Sequence, residues 1–233
     1  MERRVAEAVE ALRRGEPVMV FDAWGREEEV DLVYHAAFVT WREVNILRRI
    51  AGGLICYATR YDLVSRLGLP FLHEALAKIP SLEPLASRRL SYGDPPAFVL
   101  WINHRGVKTG ISDVDRAKTI AALHRLTLLL SEDPGRARRF FEEEFVVPGH
   151  VALLASRGLD KRRGHTELSV ALAEMAGLAP SVVFAEMLGD HGESLSLDEA
   201  ERLSRLTGIP LVHGDEIIEA WWEWRESRVG RRG

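Results

Sequence analysis

The chain carries the stretch Arg162-Arg163-Gly164-His165-Thr166-Glu167 immediately before a helical pattern. Apolar residues then recur at the spacing of one helix face, at Leu168, Ala171, Leu172 and Met175. The first-turn amides of such a helix have no intrahelical acceptors and lie at the positive end of its dipole, where they can bind an anion. Arg162 adds a fixed positive charge, and His165 can ligate a metal or carry a proton. We therefore predict that this stretch handles a phosphorylated substrate.

Short apolar segments alternate with helical patterns along the rest of the chain. We predict strands at residues 18–22, 30–34, 54–59, 97–103, 145–155, 182–188 and 211–212. Three helices are expected to begin at capping boxes, which pair Thr40 with Glu43, Ser112 with Asp115, and Ser196 with Glu199. Residues 70–96 lack periodicity and are predicted to form a long surface excursion or a lid. Because no repeat or composition shift divides the chain, residues 1–233 are predicted to form one α/β domain.

The composition is that of an ordinary soluble globular protein, with 46% hydrophobic and 28% charged residues. The formal net charge of −4 gives no reason to expect a nucleic-acid partner. We expect a cytoplasmic protein without a membrane partner, because the sequence has no apolar stretch of membrane-spanning length and no signal-peptide core. The single cysteine, Cys56, excludes an internal disulfide. Glutamine is absent while charged residues are plentiful, which is typical of proteins from thermophiles.

A strongly charged loop, Arg26-Glu27-Glu28-Glu29-Val30-Asp31, lies between the first two predicted strands. Loops at strand ends often carry the chemistry of α/β proteins, so this loop is a candidate part of a functional site. Glu186 lies on a predicted apolar strand, where a carboxylate is costly unless it is paired or kept protonated by a raised pKa. The structural alternatives are a solvated surface carboxylate at Glu27 and a strand-end side chain reaching solvent at Glu186.

Two further segments have both a functional and a structural interpretation. Residues 109–112, Thr109-Gly110-Ile111-Ser112, precede a capped helix and form either a second anion-binding turn or a plain capping turn. His150 follows Pro148-Gly149, for which we predict a tight turn. It is either a catalytic imidazole or a structural turn histidine.

Together with the predicted strand at residues 53–58 and the stretch at residues 162–167, these segments form an ordered set. The order and spacing of this set resemble those of the 3,4-dihydroxy-2-butanone 4-phosphate synthase family. The resemblance runs from about Val18 to Val212. It implies a three-layer α-β-α sandwich with a mixed sheet, paired into a homodimer with active sites near the dimer interface. It also implies a lyase of riboflavin biosynthesis that converts D-ribulose 5-phosphate to 3,4-dihydroxy-2-butanone 4-phosphate and formate with a divalent metal.

The resemblance also implies roles for individual residues. Glu27 and His165 would ligate Mg²⁺ or Mn²⁺, two ions per site, with positions left for water and substrate oxygens. The acid–base candidates are Asp31, His150 and Glu186. The residues implied to bind substrate are Arg26, Glu27, Asp31, Thr109, Arg162, Arg163, Gly164, His165, Thr166 and Glu186. Asp22 matches an acidic family position near the site.

The chain departs from the family pattern in several places, and two of them replace a glycine. Val30 and Arg163 stand where the family commonly has glycine, and at Val30 the backbone must avoid positive φ. Two other functions stay open at this point. One is another metal-dependent sugar-phosphate isomerase or aldolase, which formate release would distinguish. The other is a non-catalytic relative with a binding role, which the retained charged positions disfavour.

The C-terminal segment is predicted to be a tryptophan-rich helix. Trp221, Trp222 and Trp224 are expected to pack it onto the core or onto a dimer contact. Arg228, Arg231 and Arg232 are expected to form a solvated end.

Overall fold

The computed structural model describes residues 2–89 and 91–229. Within these ranges seven strands form one sheet: β1 Val18–Phe21, β2 Val30–His35, β3 Cys56–Arg60, β4 Phe98–His104, β5 Phe145–Ser156, β6 Ser181–Glu186 and β7 Leu211–His213. Their order across the sheet is β4-β5-β3-β6-β2-β1-β7. The β3–β5 and β1–β7 pairs are parallel and the other pairs are antiparallel, so the predicted mixed sheet is confirmed.

The described residues also form ten α-helices. They are α1 Arg3–Arg13, α2 Trp41–Ile50, α3 Tyr61–Val64, α4 Leu72–Leu76, α5 Glu83–Ala86, α6 Asp113–Glu132, α7 Pro134–Glu144, α8 His165–Met175, α9 Leu197–Thr207 and α10 Gly214–Val229. Two 3₁₀ turns lie at Ala36–Phe38 and Ser65–Leu67. None of the described helices has both the length and the apolar composition needed to cross a lipid bilayer.

Helices cover both faces of the sheet and make a three-layer α-β-α sandwich. Successive side chains of a strand point to opposite faces, and in β1 Met19 belongs to one apolar cluster while Val20 belongs to the other. The first cluster includes residues of α2 and α6, and the second includes residues of α1, α8 and α10. Every residue of α8 except Glu174 is buried, because this helix lies between the sheet and its neighbours α1 and α10.

The α10 helix confirms part of the prediction for the C-terminal segment. Trp221 is buried in the second apolar cluster, and Trp224 packs against that cluster, so these rings attach α10 to the core. Trp222 is 38% exposed. Arg228 is exposed, as predicted, whereas Arg231 and Arg232 lie outside the described residues.

Two local predictions are corrected by the structure. His150 lies inside the long strand β5 and not in a tight turn, because β5 continues to pair with β4 on both sides of Gly149 through a register shift at Ile102 and Asn103. Ser112 caps α6 by accepting a hydrogen bond from Asp115 N (3.1 Å), but the expected reciprocal bond is replaced. The Asp115 carboxylate instead accepts from the backbone amides of residues 108–110.

The other two capping boxes are confirmed, at Thr40 with Glu43 and at Ser196 with Glu199. The predicted excursion at residues 70–96 contains two short helices, α4 and α5, and is otherwise irregular in the part that the structure describes. Its last described residues, 91–96, return the chain to β4. They pass over the charged loop on the way, as described below.

Candidate active site

The charged loop between β1 and β2 is folded around the buried carboxylate of Asp22. This side chain is at the end of β1, and its residue is only 2% exposed. Its Oδ2 accepts hydrogen bonds from Arg26 Nη1 (2.9 Å) and Glu27 N (3.0 Å), and its Oδ1 accepts from Glu29 N (3.2 Å). Glu28 takes a left-handed conformation with φ of 57°, whereas Val30 begins β2. The loop therefore turns at Glu28. Position 30 has strand geometry, which valine adopts readily, so a glycine is not needed there.

Glu27 and His165 meet at the centre of the cluster. Glu27 Oε2 lies 3.3 Å from His165 Nδ1, and His165 Nε2 lies 3.1 Å from the Glu29 carbonyl oxygen. Ligand atoms of Asp22, Glu27 and His165 all lie within 4.8 Å of one another. In the neutral imidazole, a proton on Nε2 donated to the Glu29 carbonyl leaves the Nδ1 lone pair facing Glu27, the arrangement that a metal ligand requires.

The charges of the cluster shift the pKa values of both groups strongly. Burial alone would lower the pKa of His165, but the carboxylates of Asp31, Glu27 and Asp22 outweigh it and raise this pKa to about 9. Burial alone would raise the pKa of Glu27, but its hydrogen bond with His165 and the charge of Arg26 lower it to about 2. At neutral pH Glu27 is therefore a carboxylate and His165 is an imidazolium paired with it, and a cation that binds both groups would displace the His165 proton.

Asp31 and Glu186 form a second pair of acidic groups beside this centre. The two residues are directly opposite each other in the antiparallel β2–β6 ladder. Asp31 is 1% exposed, and neither of its carboxylate oxygens has a hydrogen-bond partner among the described residues. Its Oδ1 lies 3.6 Å from His165 Nε2. Burial raises the pKa of Asp31 well above its usual value, and burial together with the nearby Glu29 raises the pKa of Glu186.

The start of α8 brings two guanidinium groups together. Gly164 precedes this helix, and a Cβ added to it would lie 2.3 Å from Arg162 Nη1 and 2.5 Å from Arg26 Nη2. Only glycine therefore leaves room for both arginine side chains in these positions. The amides of His165 and Thr166 are in the first turn of α8, where the helix supplies no acceptor for them. Arg26, Arg162 and these two amides together form a group of hydrogen-bond donors at the start of α8, which we call the anion seat.

The backbone amide of Gly164, just before α8, is not available to an anion, because Glu167 accepts its hydrogen bond. This buried carboxylate accepts from Gly164 N (3.3 Å) and from Arg162 Nη1 (2.6 Å) through Oε2. Its Oε1 accepts from Arg157 N (3.0 Å). Glu167 thus holds the anion seat in place and neutralises part of the Arg162 charge. Arg163 is exposed, and no contact joins its side chain to the cluster in the described part of the chain.

Thr109 and His150 lie together, but apart from the residues above. Asn103 joins them: its Oδ1 accepts from His150 N (2.8 Å), its Nδ2 lies 3.1 Å from His150 Nδ1, and the same Nδ2 donates to the Thr109 carbonyl (3.4 Å). If Nδ2 donates to Nδ1, the neutral imidazole of His150 carries its proton on Nε2. In the sheet order, β5 is three places from β2, roughly 14 Å at the usual strand spacing.

The glycines of this second group allow close backbone packing around Asn103. A Cβ on Gly149 would lie 2.0 Å from the Ile102 carbonyl carbon, and one on Gly110, where φ is 97°, would lie 2.2 Å from Asn103 Nδ2. Asn103 was not among the predicted site residues. Its only signal in the sequence is that it is one of two asparagines in a chain without glutamine.

Fold and cluster together define a three-layer α/β protein with a buried carboxylate–histidine centre beside an anion seat. A family model described as 3,4-dihydroxy-2-butanone 4-phosphate synthase matches residues 6–220. The chain belongs to this enzyme family of riboflavin biosynthesis, and the family predicted from the sequence is confirmed.

Two archaeal relatives illustrate the similarity. The 3,4-dihydroxy-2-butanone 4-phosphate synthase of Archaeoglobus fulgidus is 41% identical, and the match covers 96% of each chain. That of Methanosarcina mazei is 42% identical over 93% of this chain and 90% of the relative.

Solved structures of synthases with this name have the same fold. The structure from Candida albicans matches with a TM-score of 0.70 and 29% identity, covering 93% of this chain and 96% of that one. A further synthase structure, in complex with two magnesium ions, matches with a TM-score of 0.71 and 26% identity, covering 93% of this chain and 95% of that one. The predicted fold class is thereby confirmed.

Proposed function

We propose that this chain converts D-ribulose 5-phosphate to 3,4-dihydroxy-2-butanone 4-phosphate and formate. The observation that carries the proposal is the opposed pair of Asp31 and Glu186 beside His165, with raised pKa values on both carboxyls. The conversion requires proton abstraction next to a carbonyl, loss of a hydroxyl and a carbon shift. Acid and base groups whose pKa values approach the working pH transfer such protons most effectively.

We propose that Glu27 and His165 hold Mg²⁺ or Mn²⁺ in this chain. Their facing oxygen and nitrogen atoms suit such an ion, and Asp22 is less available because its oxygens already accept three hydrogen bonds. We propose two ions per site, and a similar synthase has been solved in complex with two magnesium ions. When bound, such ions polarise substrate oxygens and stabilise the negative charge that develops on them.

The protein groups then have separate tasks in the proposed reaction. Arg26, Arg162 and the first-turn amides of α8 would bind the substrate phosphate in the anion seat and so orient the sugar toward Asp31 and Glu186. The buried, raised-pKa Asp31 carboxyl would donate a proton to the departing hydroxyl. The more accessible Glu186 would take the proton from the carbon next to the carbonyl.

We further propose a homodimer in which the second copy supplies His150 and Thr109 to this site. Both residues lie several strands from the anion seat within one chain, so a second copy is the simplest way to bring them to it. Exposed apolar side chains surround the same part of the surface, and this is typical of an interface. They include Leu54 (43%), Ile111 (55%), Val114 (63%), Val146 (48%), Val147 (55%) and Leu188 (51%). The cytoplasmic location and the thermophilic origin stay predictions.

The test is incubation of the purified protein with ribulose 5-phosphate and Mg²⁺ or Mn²⁺, while formate and the four-carbon phosphate are quantified. We expect the two products in equal amounts, none after removal of metal with EDTA, and little with Glu27→Gln or His165→Ala. Glu142→Gln, an exposed position on α7, is the matched control and should leave turnover unchanged. Consumption of substrate without formate would support an isomerase or aldolase, and no turnover with either metal would support a non-catalytic relative.

A further inference from the structure

We propose that Asp94 is a positioning residue that orients Arg26 toward the anion seat, and that substrate affinity therefore depends on a residue outside the charged loop. The proposal rests on the proposed function, since it assigns the anion seat to the substrate phosphate. Asp94 and Tyr92 belong to the irregular segment 91–96, for which the sequence predicted no role in the site.

The Arg26 guanidinium is held by carboxylates along two of its edges. Asp94 Oδ2 accepts hydrogen bonds from Arg26 Nε (3.2 Å) and Nη2 (3.1 Å). Asp22 Oδ2 accepts from Arg26 Nη1 (2.9 Å), and Glu27 Oε1 lies 3.2 Å from the same nitrogen. A guanidinium has five N–H groups, and these hydrogen bonds use that of Nε, one of Nη1 and one of Nη2, which leaves a second hydrogen on each terminal nitrogen.

Of the two terminal nitrogens of Arg26, Nη2 lies nearer to Gly164 and therefore to the anion seat. A Cβ built on Gly164 would lie 2.5 Å from Arg26 Nη2. Arg162 Nη1 is also close to this position. Asp94 binds the other side of Arg26 Nη2. The ion pair with Asp94 therefore determines which direction the free hydrogen of Arg26 Nη2 takes.

The aromatic ring of Tyr92 fixes the face of the same guanidinium. Arg26 Cζ lies 4.9 Å from the ring centroid. Burial and the nearby Glu27 carboxylate raise the pKa of Tyr92 to about 12, so the ring stays neutral. With the ring on its face and Asp94 and Asp22 on its edges, the planar group has lost most of its freedom to rotate.

Arg26 is the single polar side-chain partner of Asp94 among the described residues. The Asp94 side chain is 30% exposed, whereas that of Arg26 is 10% exposed. Because the Asp94 carboxylate is partly exposed and binds only this nearly buried arginine, it does not help to pack the core. Its contact is with a group that faces the substrate.

The opposite role for Asp94 is also testable. A third carboxylate next to Arg26 repels an incoming anion, and if this repulsion dominated, Asp94 would compete with the substrate for Arg26. Removing its charge would then strengthen substrate binding. Positioning predicts weaker binding, so the sign of one measured change separates the two roles.

The experiment is a double-mutant cycle on the full chain, with the dissociation constant of ribulose 5-phosphate measured by calorimetry in EDTA. We expect Asp94→Asn to weaken binding about tenfold, as loss of a hydrogen bond to a charged group usually does. Asp94→Glu should recover part of the affinity. In the Arg26→Ala background Asp94→Asn should have no further effect, because the residue acts through Arg26.

Kinetic and control measurements complete the test. In the metal-loaded enzyme, KM should follow the dissociation constant while kcat changes by less than about threefold. Asp198→Asn, the same change at an exposed position on α9, should alter neither, and thermal unfolding midpoints should show that all variants fold.

Three outcomes would overturn the proposal. The first is binding that is unchanged or tighter in Asp94→Asn, and the second is a loss that persists in the Arg26→Ala background. The third is a wild-type protein that does not bind ribulose 5-phosphate, which would also refute the proposed function. A wild-type protein that binds the sugar phosphate but releases no formate would refute the proposed function alone, and the binding cycle would still decide the role of Asp94.

Discussion

Asp31 and Glu186 face each other across β2 and β6, and His165 Nε2 lies 3.6 Å from the Asp31 carboxylate. Both strands are buried along most of their length, so the two acidic groups are close together where water is scarce. Burial favours the protonated form of both groups; the charge of Glu186 adds to this at Asp31, and the charges of Glu29 and Glu27 add to it at Glu186, so both pKa values are raised. Each of the two carboxyls therefore keeps its proton to a higher pH than it would in water.

We expect Asp31→Asn to abolish most turnover without destabilising the protein. The amide has the same shape but cannot exchange a proton, and general acid–base groups contribute about a hundredfold or more to rate. Both oxygens of the carboxylate lack hydrogen-bond partners among the described residues, so little native interaction is lost. Formate release and chemical unfolding of the metal-free protein measure the two effects. A variant that unfolds well below the wild type would contradict this account.

Gly164→Ala is expected to weaken substrate binding far more than it weakens the fold. The backbone of Gly164 is extended, with φ of −90° and ψ of 175°, which alanine adopts readily. The added Cβ would displace the ends of Arg162 and Arg26, which lie 2.3 and 2.5 Å away. We expect KM to rise about tenfold and the free energy of unfolding to fall by less than about 1 kcal/mol.

Gly135→Ala is the matched control for this substitution. Gly135 is exposed in the first turn of α7, and an added Cβ there would meet only Asp133 Oδ1, at 3.4 Å. The control should leave both KM and stability unchanged. If Gly164→Ala left KM unchanged as well, the two arginines would not be substrate ligands.

Mixing two inactive variants tests the proposed second copy. Glu27→Ala lacks one part of the site and His150→Ala lacks the other. If each site combines both parts from different chains, random exchange of subunits gives mixed dimers in which one of the two sites is intact. The mixture should then regain roughly a quarter of wild-type activity. Activity that stays at the level of the separate variants would show that His150 acts within its own chain or not at all.

Asp113 provides a pH test away from the site. The Arg48 guanidinium, together with Asn45 and Arg116, holds the pKa of Asp113 below its usual value. Between the folded and unfolded pKa values the unfolded chain binds more protons, so this contribution is present above about pH 4 and is lost as the pH falls further. Asp113→Asn should therefore lower the free energy of unfolding by about 1 kcal/mol at pH 7.

The difference between wild type and Asp113→Asn should shrink below about pH 4, where the Asp113 carboxyl of the unfolded wild-type chain binds a proton while that of the folded chain is still ionised. Urea unfolding at several pH values measures it. Asp198→Asn serves as the control, since no ion pair to Asp198 is found in the described ranges. A difference that stays constant down to pH 3 would mean that the ion pairs of Asp113 do not contribute.

Much of the fold could be predicted because its signals are local. Buried strands such as residues 18–21 are visible in the sequence as short apolar runs. Helix starts are indicated by a hydroxyl residue followed three positions later by a carboxylate, as at Ser196 and Glu199. The tight turn predicted at Gly149 was wrong: residues 147–150 form a bulge within β5, held between the pairs Asn103–Val146 and Ile102–Val151. Such pairing joins residues almost fifty positions apart and has no trace in the local sequence.

The family, the sheet-and-helix class and the residue types of the candidate site follow from the amino-acid sequence alone, since motifs such as the charged loop and the stretch at residues 162–167 are contiguous. The tertiary structure decided what those residues do to one another. It placed Asp31 opposite Glu186, directed Arg26 and Arg162 onto Gly164, and brought Asp94 to Arg26. Burial and distance shift pKa values and orient donors, and both quantities exist only after residues far apart in the chain have packed together.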